Sequence, residues 1–301
     1  MIHNKSKVEV ELVGGIGNQL FGYFAGNYIA NACSSDLHLR IMKPNLGETV
    51  HSGSICELNL QGVFVFDKST KLCRALNRII KKMLRSSSAF ARIYSNLSQN
   101  YNSNVIGFDK NIDTLKSPVR ISGYYQTWKY FNDFQHQIRG TIDISIKSDW
   151  YLEWKDKAIN GKVVMLHIRL GDYLNKQNDS FGSLSTEYYK RALECLPVDL
   201  ARNQIWVFSD DIDSAQGILS KISGYNFVWI KPPPSTSPTE SLLLMSFGAA
   251  NIIANSTFSW WGAMLNNYKP VVLAPSKWFK LLEDPKDLIP ENWIRIESSW
   301  N

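Results

Sequence analysis

Two kinds of hydrophobic pattern alternate along the second half of the chain. Short, almost wholly apolar runs predict buried strands, and the segments between them carry apolar residues at the three- and four-residue spacing of helices. The predicted strands are residues 163–169, 204–209, 226–230, 251–254 and 270–274, and the predicted helices are residues 186–195, 212–222, 239–249 and 258–267. Short apolar strands that alternate with helices are typical of a parallel sheet covered on both faces.

The first half of the chain carries the same patterns less regularly. Residues 8–13 alternate apolar and polar side chains like a half-buried strand, and the turn GGIGN separates them from a predicted helix at 19–33. Further strands are predicted at 37–42 and at the start of 118–131, where a glycine and several aromatic residues then lead into a helix.

The division into domains follows from a change in this pattern. Residues 148–162 are polar and predict a connection, and the proline-rich residues 232–238 predict a loop. We find no internal repeat and no heptad pattern. The sequence therefore predicts two α/β domains, residues 1–150 and residues 151–301.

One segment of the chain concentrates positive charge. The chain carries a formal net charge of +6, and seven lysines and arginines without a single acid fall between Lys71 and Arg92. Apolar residues share the opposite face, so the segment predicts an amphipathic helix. Its apolar face packs on its own domain in one interpretation, and the helix contacts an anionic membrane surface in the other. No nucleic-acid-binding motif accompanies the charge, so no nucleic acid partner is expected.

The composition limits the classes of protein to which the chain can belong. At 301 residues and 44% hydrophobic content, the chain can form one large core or two ordinary ones. Its four cysteines are scattered and form no C-x-x-C pair, which argues against a zinc site or a disulfide framework. The chain shows no signal-peptide core and no run of eighteen apolar residues. We therefore expect a cytoplasmic protein, with the basic segment as the candidate contact to the inner face of a membrane.

Three clusters of polar residues follow predicted strands of the second domain, where ligands of open parallel sheets bind. An arginine can bond two phosphate oxygens at once, and a hydroxyl-rich helix start offers N–H groups to an anion. Together these groups predict a site for a nucleotide diphosphate. The clusters are His167, Arg169 and Asp172; Ser209, Asp210 and Asp211; and Asn255, Ser256, Thr257 and Ser259.

Each cluster also has a structural interpretation. Arg169 could pair with Asp172, and the hydroxyl residues could simply cap their helix. The sequence DDID could cap a helix, or Asp211 and Asp213 could hold a metal ion. Agreement of position at three strand ends favours the ligand site over three separate structural roles.

The turn GGIGN matches no complete phosphate motif. It lacks the Lys-Ser/Thr ending of a P-loop, and Leu20 stands where a dinucleotide-binding turn has its third glycine. Its glycines, Gly15 and Gly17 among them, allow the backbone to approach a ligand closely.

Five motifs, taken together, resemble the α-1,2-fucosyltransferases of glycosyltransferase family 11, in particular the bacterial members. They follow the family's order, cover most of the chain, and read GGIGNQLFGYFAG, SGYYQTWKYF, HIRLGDY, FSDD and IIANSTFSWWGAML. The resemblance implies a GT-B-like architecture, in which two Rossmann-like α/β domains face each other across a cleft.

The resemblance also implies a reaction. Such enzymes move L-fucose from GDP-β-L-fucose to the 2-hydroxyl of a terminal β-galactoside with inversion at the sugar carbon. The C-terminal domain binds GDP-fucose, and the N-terminal domain supplies most of the acceptor side. The expected acceptor is an oligosaccharide or a lipid-linked glycan, as in O-antigen or lipopolysaccharide biosynthesis.

The same resemblance assigns roles to individual residues. Arg169 matches the arginine that binds the donor pyrophosphate, and His167 and Asp172 match neighbours that line the nucleotide site or orient that arginine. Asn18 matches an asparagine that related O-fucosyltransferases place beside the reacting sugar. The phosphate-binding helix start is matched by Ser256, Thr257 and Ser259.

The chemistry requires neither a metal nor another cofactor. A guanidinium and helix N–H groups can stabilise the charge that develops on the leaving diphosphate. No carboxylate of the N-terminal motifs stands out as a general base for the attacking hydroxyl. Two alternatives stay open: another nucleotide-sugar or protein O-fucosyl transferase of the same architecture, and a non-catalytic sugar-binding module suggested by the ten tryptophans.

Overall fold

A computed structural model of the chain describes residues 6–41, 54–66, 100–139, 141–174, 179–268 and 270–301, with the side chains of residues 134, 136, 137, 172 and 174 excepted. The chain divides into two units, each with its own parallel sheet. The first unit comprises Met1–Cys56 and Leu60–Phe131, and the second comprises Glu57–Asn59 and Asn132–Asn301. Two parallel α/β units confirm the predicted class of two Rossmann-like domains.

The sheet of the first unit has the strand order β3-β2-β1-β5-β4, and every pair of neighbours is parallel. The strands predicted at 8–13, at 37–42 and after Pro118 are confirmed. The helix predicted at 19–33 is confirmed too, and it begins earlier, inside the glycine turn. The strands are β1 (Lys7–Leu12), β2 (Asp36–Ile41), β3 (Val63–Phe66), β4 (Asn100–Asn102) and β5 (Val119–Ser122), and the helix is α1 (Ile16–Ala32).

Helix α1 lies very close to the strands beneath it. A Cβ atom on Gly26 would overlap Cγ2 of Val10 and lie 3.0 Å from Cδ1 of Leu37. The adjoining helix residues Phe21 and Phe24 are buried as well. Because the helix cannot move away without opening this core, its first turn is held at the end of β1.

A buried carboxylate links the three central strands of this sheet. Glu9 on β1 is 4% exposed and accepts hydrogen bonds from Nε of Arg40 on β2, at 2.9 Å, and from Nε of Arg120 on β5. Burial by itself would raise the pKa of Glu9, but the hydrogen bond from Arg40 and the charges of both arginines outweigh it and lower that pKa. The carboxylate therefore stays ionised and balances two cations.

The sheet of the second unit has the strand order β11-β10-β9-β6-β7-β8, again wholly parallel. All five strands predicted for this half of the chain are confirmed, and β11 was not predicted. The strands are β6 (Val164–Ile168), β7 (Gln204–Ser209), β8 (Asn226–Trp229), β9 (Ala250–Ile252), β10 (Val271–Pro275) and β11 (Ile294–Ile296).

The four helices predicted between these strands are confirmed, with bounds that differ by a few residues. The apolar faces of the helices predicted at 186–195 and 212–222 pack with β6, β7 and β9 in one core, which includes Tyr188 and Tyr189. The helices of this unit are α2 (Gln135–Ile138), α3 (Asp149–Gly161), α4 (Thr186–Glu194), α5 (Val198–Ala201), α6 (Ile212–Leu219), α7 (Pro238–Leu244) and α8 (Thr257–Met264). Short 3-10 helices occupy Ser54–Glu57, Lys110–Thr114, Trp128–Phe134, Gly171–Leu174 and Met245–Phe247.

The prediction of a polar connection at 148–162 is wrong, because this stretch forms helix α3. The Oγ of Ser148 caps the helix by accepting a hydrogen bond from the backbone N–H of Tyr151 at 3.1 Å. Tyr151 and Ala158 are buried, and the ring of Trp154 meets the edge of Trp206 at 4.9 Å. The narrow apolar face of this charged helix thus packs against the sheet.

The units meet in sequence at Phe131–Asn132, earlier than the predicted boundary at residue 150. The segment between these points belongs to the second unit through specific bonds. The backbone N–H of Asn59 donates to the carbonyl of Asp143 at 3.0 Å. The backbone N–H of Ser148 donates to a carboxylate oxygen of Glu240 at 2.6 Å.

Two predictions concern membranes. The basic segment 71–92 lies outside the described residues. Within the described part of the chain, no helix combines the length and the apolar character needed to cross a bilayer.

We expect Glu9→Gln to lower the free energy of unfolding by about 1–3 kcal/mol at neutral pH, because it removes a buried negative charge that two half-buried arginines share. The folded-state pKa of Glu9 is lowered, so its contribution is complete above the ordinary value of 4.5 and disappears as the pH falls through the folded-state pKa. Urea unfolding of both proteins at neutral and acidic pH measures this difference.

The matched control for Glu9 is Glu153→Gln, which removes an exposed ion pair with Lys157. We expect that variant to stay within about 0.5 kcal/mol of wild type. Equal stabilities for the two variants would contradict the role of Glu9.

Candidate active site

The order of strands in the second sheet reverses at its centre. From β6 the chain builds outward to β7 and β8, and it then returns to place β9, β10 and β11 on the other side of β6. The loops after β6 and β9 therefore leave the sheet side by side and in opposite directions. Such a reversal opens a crevice at the carboxyl ends of the two strands, which is where open α/β sheets bind ligands.

Arg169 lies directly after β6, at this reversal. Its Nη1 forms an ion pair with Oδ2 of Asp210, which follows β7, at 2.8 Å. The guanidinium carbon lies 5.3 Å from the centre of the Tyr173 ring, a distance typical of a cation–π contact. The side chains of Arg169 and Asp210 remain 31% and 27% exposed. Arg169 is thus held from two sides while it stays accessible to an anion.

Asp210 holds the backbone beside Arg169 as well as its side chain. Its Oδ1 accepts a hydrogen bond from the backbone N–H of Leu170 at 3.0 Å. A Cβ atom on Gly171 would overlap Oδ2 of Asp210 and lie 3.2 Å from its Cγ. The glycine of the motif HIRLGDY is therefore required for the carboxylate to reach Arg169. Asp172 lies in the following 3-10 turn, and its side chain is outside the described part of the chain.

The third predicted cluster lies across the crevice, after β9. Ser256 caps helix α8 with its Oγ, and Thr257 is the first, partly exposed residue of that helix. Asn255 is buried, and its Nδ2 donates to the carbonyls of Phe181, Gly182 and Trp278 at 3.1, 3.0 and 3.2 Å.

The two loops are joined by one hydrogen bond. Tyr173, whose ring contacts Arg169, donates from its hydroxyl to the backbone carbonyl of Asn255 at 3.3 Å. The structure thus brings together Arg169, Asp210 and the helix start at Ser256–Thr257. Neither Tyr173 nor Gly171 was among the predicted site residues, although both stand in the motif HIRLGDY.

Two further predicted residues are fully buried in this region. The Oγ of Ser259 lies 3.4 and 3.2 Å from the carbonyl oxygens of Ala254 and Ser256, so it serves the turn from strand to helix. His167 packs on the ring of Phe258 at 5.5 Å. Burial, and then the charge of Arg169, lower the pKa of His167 to about 3. This imidazole is therefore neutral at physiological pH and adds no positive charge to the site.

The sequence DDID caps a helix. Asp211 accepts hydrogen bonds from the backbone N–H and the hydroxyl of Ser214, at 3.1 and 2.7 Å, and these bonds lower its pKa. Asp213 is exposed in the first turn of α6. Across the described residues, no three His, Cys, Asp or Glu side chains come together as a metal site.

The first sheet also reverses its strand order at its centre, between β1 and β5. The glycine turn follows β1, and Asn18 lies in the first turn of α1, partly exposed. Gly15 is the exposed cap residue of α1, with open space around it, and Gly17 is buried in the first turn. The predicted residues of the N-terminal domain thus lie at the corresponding position of their own sheet.

Comparison with known proteins identifies the class of enzyme. Residues 68–297 match the family model described as glycosyl transferase family 11. The chain belongs to glycosyl transferase family 11. Over 97% of its length it is 32% identical to an Escherichia coli protein named alpha-1,2-colitosyltransferase, of which the match covers 99%. It is also 26% identical, over 95% of its length, to the Escherichia coli O-antigen biosynthesis glycosyltransferase WbnK, of which 99% is covered.

Solved fucosyltransferase structures are also similar to this family 11 chain. The NodZ alpha-1,6-fucosyltransferase soaked with GDP-fucose superposes with a TM-score of 0.49 at 13% identity, covering 87% of this chain and 93% of NodZ. A point mutant of Arabidopsis thaliana FUT1 in complex with GDP gives 0.49 at 12% identity, covering 90% of this chain and 71% of FUT1.

We expect Gly171→Ala to destabilise the protein by about 1–3 kcal/mol, because the new methyl group must displace the carboxylate that holds Arg169. Gly217→Ala is the matched control, since a Cβ atom there meets nothing within 4 Å. Alanine at position 217, inside helix α6, should stabilise the protein by about 0.5–1 kcal/mol. Urea unfolding compares the two, and an unchanged Gly171→Ala protein would mean that Asp210 can move without loss.

Proposed function

We propose that this family 11 enzyme transfers L-fucose from GDP-β-L-fucose to the 2-hydroxyl of a terminal β-galactoside, forming an α-1,2 linkage with inversion. The observation that carries the proposal is Arg169, held by Asp210 and Tyr173 at the strand reversal, with the start of α8 across the crevice. A fixed guanidinium facing a helix start suits a diphosphate.

The proposed chemistry is stabilisation of the leaving group. Breaking the bond between the sugar carbon and the β-phosphate oxygen leaves negative charge on GDP. The galactoside oxygen bonds to that carbon from the opposite side and loses its proton, which the departing phosphate accepts. Arg169 and the backbone N–H of Thr257, the first residue of α8, meet this charge in an arrangement fixed before the reaction, which is where such groups are most effective. His167 lines the site as a neutral group, because its pKa is about 3.

Asp210 was predicted to bind the nucleotide, and we propose a different role for it. Its carboxylate is engaged by Arg169 and by the backbone of Leu170, so we assign it to orienting the arginine. Asn18 is proposed to contact the transferred sugar or the incoming hydroxyl. It positions these groups and is not a base, since an amide does not titrate.

A second donor sugar has specific support. The relative that is 32% identical is named a colitosyltransferase, and colitose is L-fucose without its 3-hydroxyl. A site that hydrogen-bonds this hydroxyl rejects the deoxy sugar strongly, whereas a site without such a bond discriminates weakly. The similarity to WbnK favours a glycan of the O-antigen pathway as the acceptor, and we propose that the enzyme meets it in the cytoplasm.

The test is GDP release by the purified enzyme with GDP-fucose, GDP-colitose and GDP-mannose against a panel of β-galactosides. We expect GDP-fucose to give the highest kcat/KM and NMR of the product to show an α-1,2 linkage. A higher kcat/KM with GDP-colitose would establish the second donor. Absence of both GDP binding in calorimetry and turnover of any donor would instead indicate a non-catalytic sugar-binding module. Activity should survive EDTA, and a loss restored by Mn²⁺ or Mg²⁺ would contradict the metal-free mechanism.

We expect Arg169→Ala to lower kcat by at least about 10²-fold, the usual effect of removing a fixed donor to the developing charge. Arg169→Lys should recover little, because an ammonium cannot bond two phosphate oxygens in one plane. Arg191→Lys is the control, since Arg191 forms exposed ion pairs with Glu187 and Glu297. Transfer by Arg169→Lys within about threefold of wild type would remove Arg169 from this role.

A further inference from the structure

One hydrogen bond joins two motifs of the first unit that lie 108 residues apart. The Nε2 of Gln126 donates to Oδ1 of Asn18 at 3.0 Å. Asn18 lies after β1, and Gln126 lies after β5, so the bond spans the point where the strand order reverses. Gln126 stands in the motif SGYYQTWKYF, to which no role has been assigned so far.

The backbone around Gln126 holds its side chain in one place. Tyr125 adopts a left-handed conformation with a φ of 50° and is fully buried, and its hydroxyl donates to the carbonyl of Ser122 at 3.0 Å. The backbone N–H of Gln126 donates to the carbonyl of Ile106. A left-handed tyrosine is unfavourable by itself and persists where the surrounding contacts impose it, as they often do at functional sites.

The buried side chain of Gln126 lowers the stability of the core of this unit. Gln126 is 7% exposed, and its Oε1 is buried without a hydrogen-bond partner among the described residues. Burial of an unpaired amide oxygen lowers stability, and an apolar side chain of the same length would avoid that loss. The contribution of Gln126 therefore lies in the bond that its Nε2 donates.

That bond determines which end of Asn18 is presented to a ligand. With Oδ1 engaged by Gln126, the opposite end of the amide is the donor Nδ2. A Cβ atom on Gly14 would lie 2.7 Å from this nitrogen, so the glycine leaves room for it. Gly14 also has a φ of 71°, which favours glycine independently.

We propose that Gln126 is a positioning residue for the transfer reaction, which holds Asn18 so that its Nδ2 donates a hydrogen bond to an oxygen of the sugar or of the incoming hydroxyl. The inference rests on the proposed function and deepens it, because it makes Asn18 a donor and not an acceptor at the reacting centre. It also gives the motif SGYYQTWKYF a function.

Gln126→Met tests this role, because methionine keeps the length of the side chain while it removes both the donor and the unpaired oxygen. We expect kcat to fall by about three- to tenfold, the effect of one neutral hydrogen bond, with the Kd for GDP unchanged. The melting temperature should equal or exceed that of wild type. A structural role would lower the melting temperature and leave kcat unchanged, which would contradict the proposal.

Two variants of Asn18 test the direction of the bond. Asn18→Ala should lower kcat by at least about tenfold, and Asn18→Asp should lower it as much, because aspartate can accept the bond from Gln126 but offers no donor. In the Asn18→Ala background, Gln126→Met should change kcat by less than about twofold, since its effect acts through Asn18. Normal kcat in Asn18→Asp, or independent effects in the double variant, would overturn the assignment.

The control is Tyr28→Phe, which removes a hydrogen bond to Asp113 in the same unit, at 2.9 Å, away from the glycine turn. We expect its kcat to match wild type. All variants are measured with the GDP-sugar that the wild-type enzyme turns over best. A donor other than GDP-fucose would contradict the proposed function and leave the comparison of variants intact, whereas absence of turnover with every GDP-sugar would contradict both.

Discussion

Parallel strand pairing is the constraint on which both units depend. Every strand that the structure describes runs parallel to its neighbours, so all strands of one sheet end at the same edge. A connection between parallel strands must return to the opposite edge of the sheet, and the chain therefore leaves this edge by a loop after each strand that leads to another. Polar residues placed in these loops gather at one edge, whatever their separation in the sequence. Arg169 and Asp210 meet in this way across β6 and β7.

The reversal of strand order then selects one place along that edge. In the second sheet, the chain goes on from β6 to β7 on one side and from β9 to β10 on the other, so the loops after β6 and β9 diverge. The resulting crevice is a consequence of topology and needs no special side chains. In the first sheet, Asn18 and Gln126 likewise follow two neighbouring central strands, β1 and β5, as Arg169 and Ser256 follow β6 and β9 in the second.

Buried polar groups fall into two kinds in this structure. Some are engaged by several partners and stabilise the fold, as is Glu9, which accepts hydrogen bonds from arginines on both neighbouring strands. Others leave an atom unpaired, as do Oε1 of Gln126 and Nδ1 of His167 among the described residues. Unpaired buried atoms lower stability, and both lie at the strand ends where the chemistry is proposed.

The sequence by itself determined most of the strands and helices and the class of fold, because hydrophobic periodicity is a local property that each strand and helix carries alone. The strands of the second unit and the motif residues Arg169 and Asn18 were predicted on that basis and on resemblance. The sequence could not determine which strands become neighbours. Helix α3 was missed because its narrow apolar stripe gains meaning only from Trp206, and Asp210 emerged as the partner of Arg169 although Asp172 is nearer in sequence. The hydrogen bond from Gln126 to Asn18 and the burial of Ser259 likewise depend on long-range pairing, which tertiary structure alone decides.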